Sequence, residues 1–249
     1  MTECSGRVFV VGAGPGDPSL ITVKGLQLLR EADVILYDRL VPGELLKEAK
    51  PSAEKIYVGK APGAHTYTQE EINKMLLNLA LKGKTVVRLH GGDPYVFGRG
   101  EEECAFLLSN GVCCEVVPGV TSALAAPAYA GIPVTSRGIS SSFAVVTGRV
   151  APGSSKTIRY SEIARAVDTL IILMGVSELE NIVADLLAGG ADPSTPVAIV
   201  ERGTTSSQRV IVGELKNIVE LARRERVSPP AVVVVGNVVK LREKLWKLA

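Results

Sequence analysis

Histidine is nearly absent from this chain: of 249 residues only His65 and His90 are histidine. The four cysteines, Cys4, Cys104, Cys113 and Cys114, form no CxxC pair. Together these shortages argue against a structural zinc site. Free cysteines in a reducing compartment are the simpler expectation. Aromatic residues are also scarce, at 4% with one tryptophan. Neither sign of charge dominates, since 28 basic residues face 26 acidic ones for a net charge of +2. That balance speaks against a non-specific nucleic-acid binder. The longest apolar runs, such as Leu170–Leu173 and Ala231–Val235, fall far short of a bilayer span. The polar start Met1-Thr2-Glu3-Cys4-Ser5-Gly6 does not read as a signal peptide. A cytoplasmic protein is expected, with no membrane and no nucleic-acid partner.

Against these absences stand 25 glycines and an apolar share of 46%, with 22% charged residues. This is a globular composition, not a disordered one. Strand signals alternate with helix signals throughout. Arg7–Gly12, Asp33–Tyr37, Thr85–Leu89 and Glu115–Val117 read as strands in the first half. Thr68 and Glu71 have the spacing of a capping box, and Ile72, Met75, Leu76 and Leu79 follow at helical period. Ser142–Thr147, Thr169–Leu173, Pro196–Val200 and Ala231–Val235 read as strands in the second half, with Arg209–Val212 as an edge strand or hairpin arm. Ser177 begins a capped helix that ends at Gly189-Gly190. The second half has fewer helices per strand, so its sheet is expected to be mixed. Pro133–Ser142 has the composition of a linker. The expectation is an α/β protein of two α/β domains, 1–135 and 136–249, with a ligand trough between them.

Three glycine-bearing turns follow strands. Gly12-Ala13-Gly14-Pro15-Gly16-Asp17 departs from the dinucleotide fingerprint, because Asp17 stands where the third glycine belongs. A carboxylate there would repel a diphosphate, and Pro15 removes one backbone N–H. His90-Gly91-Gly92-Asp93-Pro94 carries more glycine than a plain turn requires and adds a carboxylate acceptor. Val117-Pro118-Gly119-Val120-Thr121-Ser122 enters an alanine-rich helix, where Thr121 or Ser122 suits an N-cap. Ligands of open α/β sheets bind beyond the carboxyl ends of strands. A shared pocket therefore competes with three separate structural turns as the reading of these loops. Glu101-Glu102-Glu103 reads as a solvated helix start.

The loops in this order resemble the uroporphyrinogen-III C-methyltransferase family of tetrapyrrole methylases. The resemblance covers nearly the whole chain. It rests on Gly12–Asp17, Tyr37–Val41, Val58-Gly59-Lys60, Arg88–Gly100, Val117–Ala123, Ala130–Thr135, Leu173-Met174-Gly175 and Gly203–Gln208. It implies the tetrapyrrole methylase fold, a homodimer, a tetrapyrrole substrate, and S-adenosyl-L-methionine as methyl donor with no metal. It further implies that Pro15, Gly91, Gly92, Asp93, Val96, Thr121, Ser122, Met174 and Gly203 contact the donor, with Ala231 a weaker candidate. Asp38 and Lys60 match the family's proton acceptor and proton donor. Read without the family, Asp38 is a turn cap and Lys60 a solvated lysine. His90 stands where lysine is commoner, and Glu101 follows Gly100 where a second glycine is usual. Uroporphyrinogen carries carboxylate arms, so the loop arginines Arg39, Arg99, Arg137 and Arg149 are expected to bind them. A sibling methylase acting on a later precorrin, a nucleotide-binding dehydrogenase and a non-catalytic sensor of the donor are the competing readings.

Overall fold

The computed structural model describes residues 6–59, 67–150, 153 and 157–246. The chain forms two compact units, Met1–Thr121 and Ser122–Ala249.

In the first unit the order is β1 (Arg7–Gly12), α1 (Val23–Glu31), β2 (Val34–Tyr37), β3 (Glu54–Tyr57), α2 (Gln69–Leu81), β4 (Thr85–His90), α3 (Gly100–Ser109) and β5 (Cys113–Val117). The strands make one sheet in the order β3-β2-β4-β1-β5, and every pairing in it is parallel. Parallel strands are covered on both faces, so their side chains are apolar in both directions. Phe9 and Val11 of β1 pack with Leu29 of α1 on one face. Val8 packs with Leu76 of α2 and Leu107 of α3 on the other. The chain thus leaves the neighbouring strands β1 and β4 toward helices on opposite faces. That divergence is the topological switch point at which open α/β sheets bind ligands.

Local chemistry sets the helix ends. At α2 the Thr68 side chain accepts the Glu71 N–H, while Glu71 reaches back to the Thr68 N–H at 2.6 Å. The expected capping box is therefore formed. The cysteines differ from expectation. Cys104 of α3 and Cys114 of β5 are joined in a disulfide across a Cα–Cα distance of 5.3 Å, and Cys113 is not free. Spacing along the chain concealed this pairing. A ten-residue separation becomes a close contact only because α3 folds back beside β5.

The second unit contains α4 (Ser122–Tyr129), β6 (Phe143–Thr147), α5 (Tyr160–Ala166), β7 (Thr169–Leu173), α6 (Leu179–Ala188), β8 (Pro196–Glu201), β9 (Arg209–Glu214), α7 (Ile218–Arg224), β10 (Ala231–Val235) and α8 (Arg242–Leu245). Its sheet order is β6-β7-β10-β8-β9. β6 and β7 are parallel and the remaining pairs antiparallel, so the sheet is mixed as expected. β9 lies at the edge, the place expected for Arg209–Val212. Leu170 and Ile172 of β7 pack with Ile182 and Leu186 of α6, and α4 packs against β7 and β10. Ser177 does not cap α6: a short 3-10 turn, Val176–Glu178, precedes it and Glu178 occupies the cap without a side-chain bond.

Candidate active site

The loops after β1, β4 and β5 are tied together at the carboxyl edge of the first sheet. The Ala13 N–H donates to the His90 carbonyl at 2.7 Å, and Gly14 and Gly92 exchange backbone bonds of 3.2 and 2.6 Å. Gly92 has φ +69°, a conformation that favours glycine. A Cβ at Gly119 would fall 2.2 Å from the Gly92 carbonyl oxygen. The approach is thus closed to any side chain, and main chain meets main chain here. Asp93 completes the junction. Its Oδ2 accepts the Gly119 N–H at 3.0 Å and its Oδ1 accepts the Tyr95 N–H at 2.8 Å. An ionised carboxylate has about four lone-pair sites, so capacity for further donors remains.

Asp38 follows β2 on the same edge. Its Oδ1 accepts the Leu40 N–H at 3.1 Å, the turn-cap bond that the residues alone suggest. The Gly91 N–H lies 3.4 Å from each carboxylate oxygen. Arg88 Nη2 stands 3.7 Å and His90 Nδ1 3.9 Å from Asp38 Oδ2. Behind them lies Glu103, fully buried. Its Oε2 is 2.8 Å from His90 Nε2, and its Oε1 accepts from Arg88 Nε at 3.0 Å and Gln69 Nε2 at 3.1 Å. Burial pushes the Glu103 carboxyl up. The His90 hydrogen bond and the Arg88 charge outweigh that and hold it at about 2.

Glu103 is therefore not the solvated helix-start residue expected of the acidic triplet. Gly100, Glu103, Cys104 and Leu107 form the buried face of α3, at the i, i+3, i+4, i+7 spacing of a core-facing stripe. That spacing was present in the sequence. So was Arg88, a charge within an otherwise apolar stretch of strand that required a buried partner.

The remaining candidates fall as follows. Pro15 and Val96 are half-buried in the loops after β1 and β4, Thr121 precedes α4, and Ser122 opens it. Lys60 lies outside the described residues. In the second unit Met174 follows β7 at φ +55° and is exposed, unlike a core methionine. Gly203 lies between Arg202 at φ +48° and Thr204 at φ +69°. That turn is clamped by Gln208, whose Oε1 accepts the Thr204 N–H at 2.8 Å and whose Nε2 donates to the Tyr129 carbonyl at 3.0 Å. Phe97 and Arg99 also have positive φ. Side chains held in that region cluster at ligand-binding sites, and here they flank the candidate segments. Arg39, Arg99, Arg137 and Arg149 are all exposed and in loops. Arg99 already forms a two-point pair with Glu102, at 2.8 and 2.7 Å. Among the described residues no group of His, Cys, Asp and Glu side chains could hold a metal ion.

The family pattern of the Tetrapyrrole (Corrin/Porphyrin) Methylases matches residues 7–219. The chain belongs to the tetrapyrrole methylases. It is 53% identical to the uroporphyrinogen-III C-methyltransferase of Methanocaldococcus jannaschii over 95% of this chain and 98% of that protein. Identity to the enzyme of the same name from Priestia megaterium is 50%, over 94% and 98%. The crystal structure of the Thermus thermophilus uroporphyrin-III C-methyl transferase complexed with S-adenyl homocysteine superposes with a TM-score of 0.82, at 47% identity, over 95% of this chain and 100% of that one. In this methylase the glycine junction brings main chain against main chain. It is closed to side chains, and Asp93 and Asp38 lie in the loops that follow the neighbouring strands β4 and β2.

Proposed function

We propose that this chain transfers methyl groups from S-adenosyl-L-methionine to C2 and C7 of uroporphyrinogen III, giving precorrin-2 for sirohaem synthesis, cobalamin synthesis or both. The observation that carries the reading is the junction of Gly14, Gly92, Asp93 and Gly119 beside Asp38. It stands in a chain about half identical to two uroporphyrinogen-III C-methyltransferases.

The donor brings a methyl group already activated on a positively charged sulfur. The chain's own task is then chiefly to position the reactants. We assign the donor to Pro15, Gly91, Gly92, Asp93, Val96, Thr121, Ser122, Met174 and Gly203. Asp93 accepts hydrogen bonds from the donor's hydroxyl or ammonium groups with the lone pairs that Gly119 and Tyr95 leave. Met174 offers a polarizable surface to the adenine. Asp38 accepts the proton that leaves the tetrapyrrole after carbon is methylated, and Lys60 supplies a proton. Arg39, Arg99, Arg137 and Arg149 pair with the carboxylate arms of the substrate, and Arg99 exchanges Glu102 for them. The working form is a homodimer in the cytoplasm.

The test is to incubate the purified chain anaerobically with uroporphyrinogen III and the donor and to count added methyl groups by mass. Two are expected. A chain that binds S-adenosylhomocysteine in a calorimeter but adds no methyl group to uroporphyrinogen III would overturn the substrate assignment. One that binds neither donor nor product would overturn the whole reading.

A further inference from the structure

The buried charges behind Asp38 are more elaborate than packing requires. Arg88 and His90 lie on β4 and Glu103 on α3; all three are buried, and the Asp38 side chain is 27% exposed. His90 stands between two carboxylates, with Nε2 at 2.8 Å from Glu103 and Nδ1 at 3.9 Å from Asp38. Arg88 spans the same two, with Nε at 3.0 Å from Glu103 and Nη2 at 3.7 Å from Asp38. Glu103 thus holds the Arg88 and His90 side chains from behind, and their other ends face the Asp38 carboxylate. With Glu103 ionised, its Oε2 requires a proton on His90 Nε2, which fixes the ring's orientation. Among the described residues, the only other groups that hold the Asp38 carboxylate are the backbone N–H groups of Leu40 and, at 3.4 Å, Gly91.

We propose that His90, held by Glu103 with Arg88 beside it, is a positioning residue that fixes the Asp38 carboxylate at the reacting edge of the sheet. The inference rests on the reading of Asp38 as proton acceptor. His90 touches no reactant. It acts by keeping Asp38 turned toward Gly91 and away from alternative rotamers, so that the proton is taken in one geometry.

The experiment compares wild type with H90Q, E103Q, H90K, D38N and the double variant D38N/H90Q, each checked by thermal melting. In H90Q and E103Q, kcat is expected to fall roughly 10- to 100-fold, the loss that a misplaced reacting group produces. KM for uroporphyrinogen III and the affinity for S-adenosylhomocysteine are expected to change less than about twofold, because neither side chain contacts a reactant. H90K, whose ammonium group can also pair with Glu103, is expected to recover most of the rate. The deciding readout is the double variant. If His90 works through Asp38, D38N/H90Q is no slower than D38N alone. Equal kcat for wild type and H90Q, or fully multiplicative losses in the double variant, would overturn the proposal and leave the assigned reaction standing. A wild-type chain with no methyl transfer would instead overturn the assigned reaction, and this inference with it.

Discussion

The Asp93 carboxylate accepts the Gly119 N–H at 3.0 Å, and so ties the loop that follows β4 to the loop that follows β5. One side chain thereby fixes two of the three turns assigned to the methyl donor, and the Gly14–Gly92 pair fixes the third. Asp93→Ala removes this tie and the acceptor proposed for the donor. A charge-assisted hydrogen bond contributes about 1.5–3 kcal/mol, so the dissociation constant for S-adenosylhomocysteine should rise by roughly 10- to 100-fold. Titration calorimetry checks it, and an unchanged constant would remove Asp93 from the donor site.

Asp38→Asn should separate binding from chemistry. The amide keeps the turn bond to Leu40 through its own oxygen, yet it cannot take up a proton. The expected result is retained affinity for S-adenosylhomocysteine with kcat lowered by about 10²–10⁴, the usual worth of a positioned base. Single-turnover assays measure it directly.

Glu103 predicts the acid limit of stability. Its carboxyl is held at about 2 in the folded chain against a reference value of 4.5. A depressed carboxyl contributes stability that is fully present above the unfolded value and is lost as pH falls through the folded one. The loss attributable to Glu103 therefore runs from about pH 4.5 down to about 2. Denaturant unfolding across that window should show a steeper decline for wild type than for Glu103→Gln, and the two curves should run parallel above it.

The Cys104–Cys114 disulfide closes a loop with a sequence separation of 10. Loops of that size are worth roughly 2–3 kcal/mol through the restricted unfolded chain. Cys104→Ser with Cys114→Ser should lower the unfolding free energy by about that amount. Equal stability of the double variant and wild type would show that the bridge contributes nothing.

Much of this protein could be read along the chain. The β-branched runs ending in glycine gave the strands because strands buried on both faces must be apolar throughout. The Thr68–Glu71 box marked a helix start because its bonds lie within four consecutive residues. The loops Gly12–Asp17, Gly91–Asp93 and Val117–Ser122 were visible as glycine-bearing turns after strands, and their order carried the family resemblance. Tertiary structure decided the rest. Glu103 looked solvated because its neighbours are acidic. It is buried because α3 turns that face toward Arg88 and His90, residues on a strand formed earlier in the chain. The same folding-back of α3 joined Cys104 to Cys114, and strand order brought Gly14, Gly92 and Gly119 to one edge. Local pattern fixes what each segment becomes. Which buried charges and cysteines meet depends on how separate elements pack against one another, and no spacing along the chain encodes those partners.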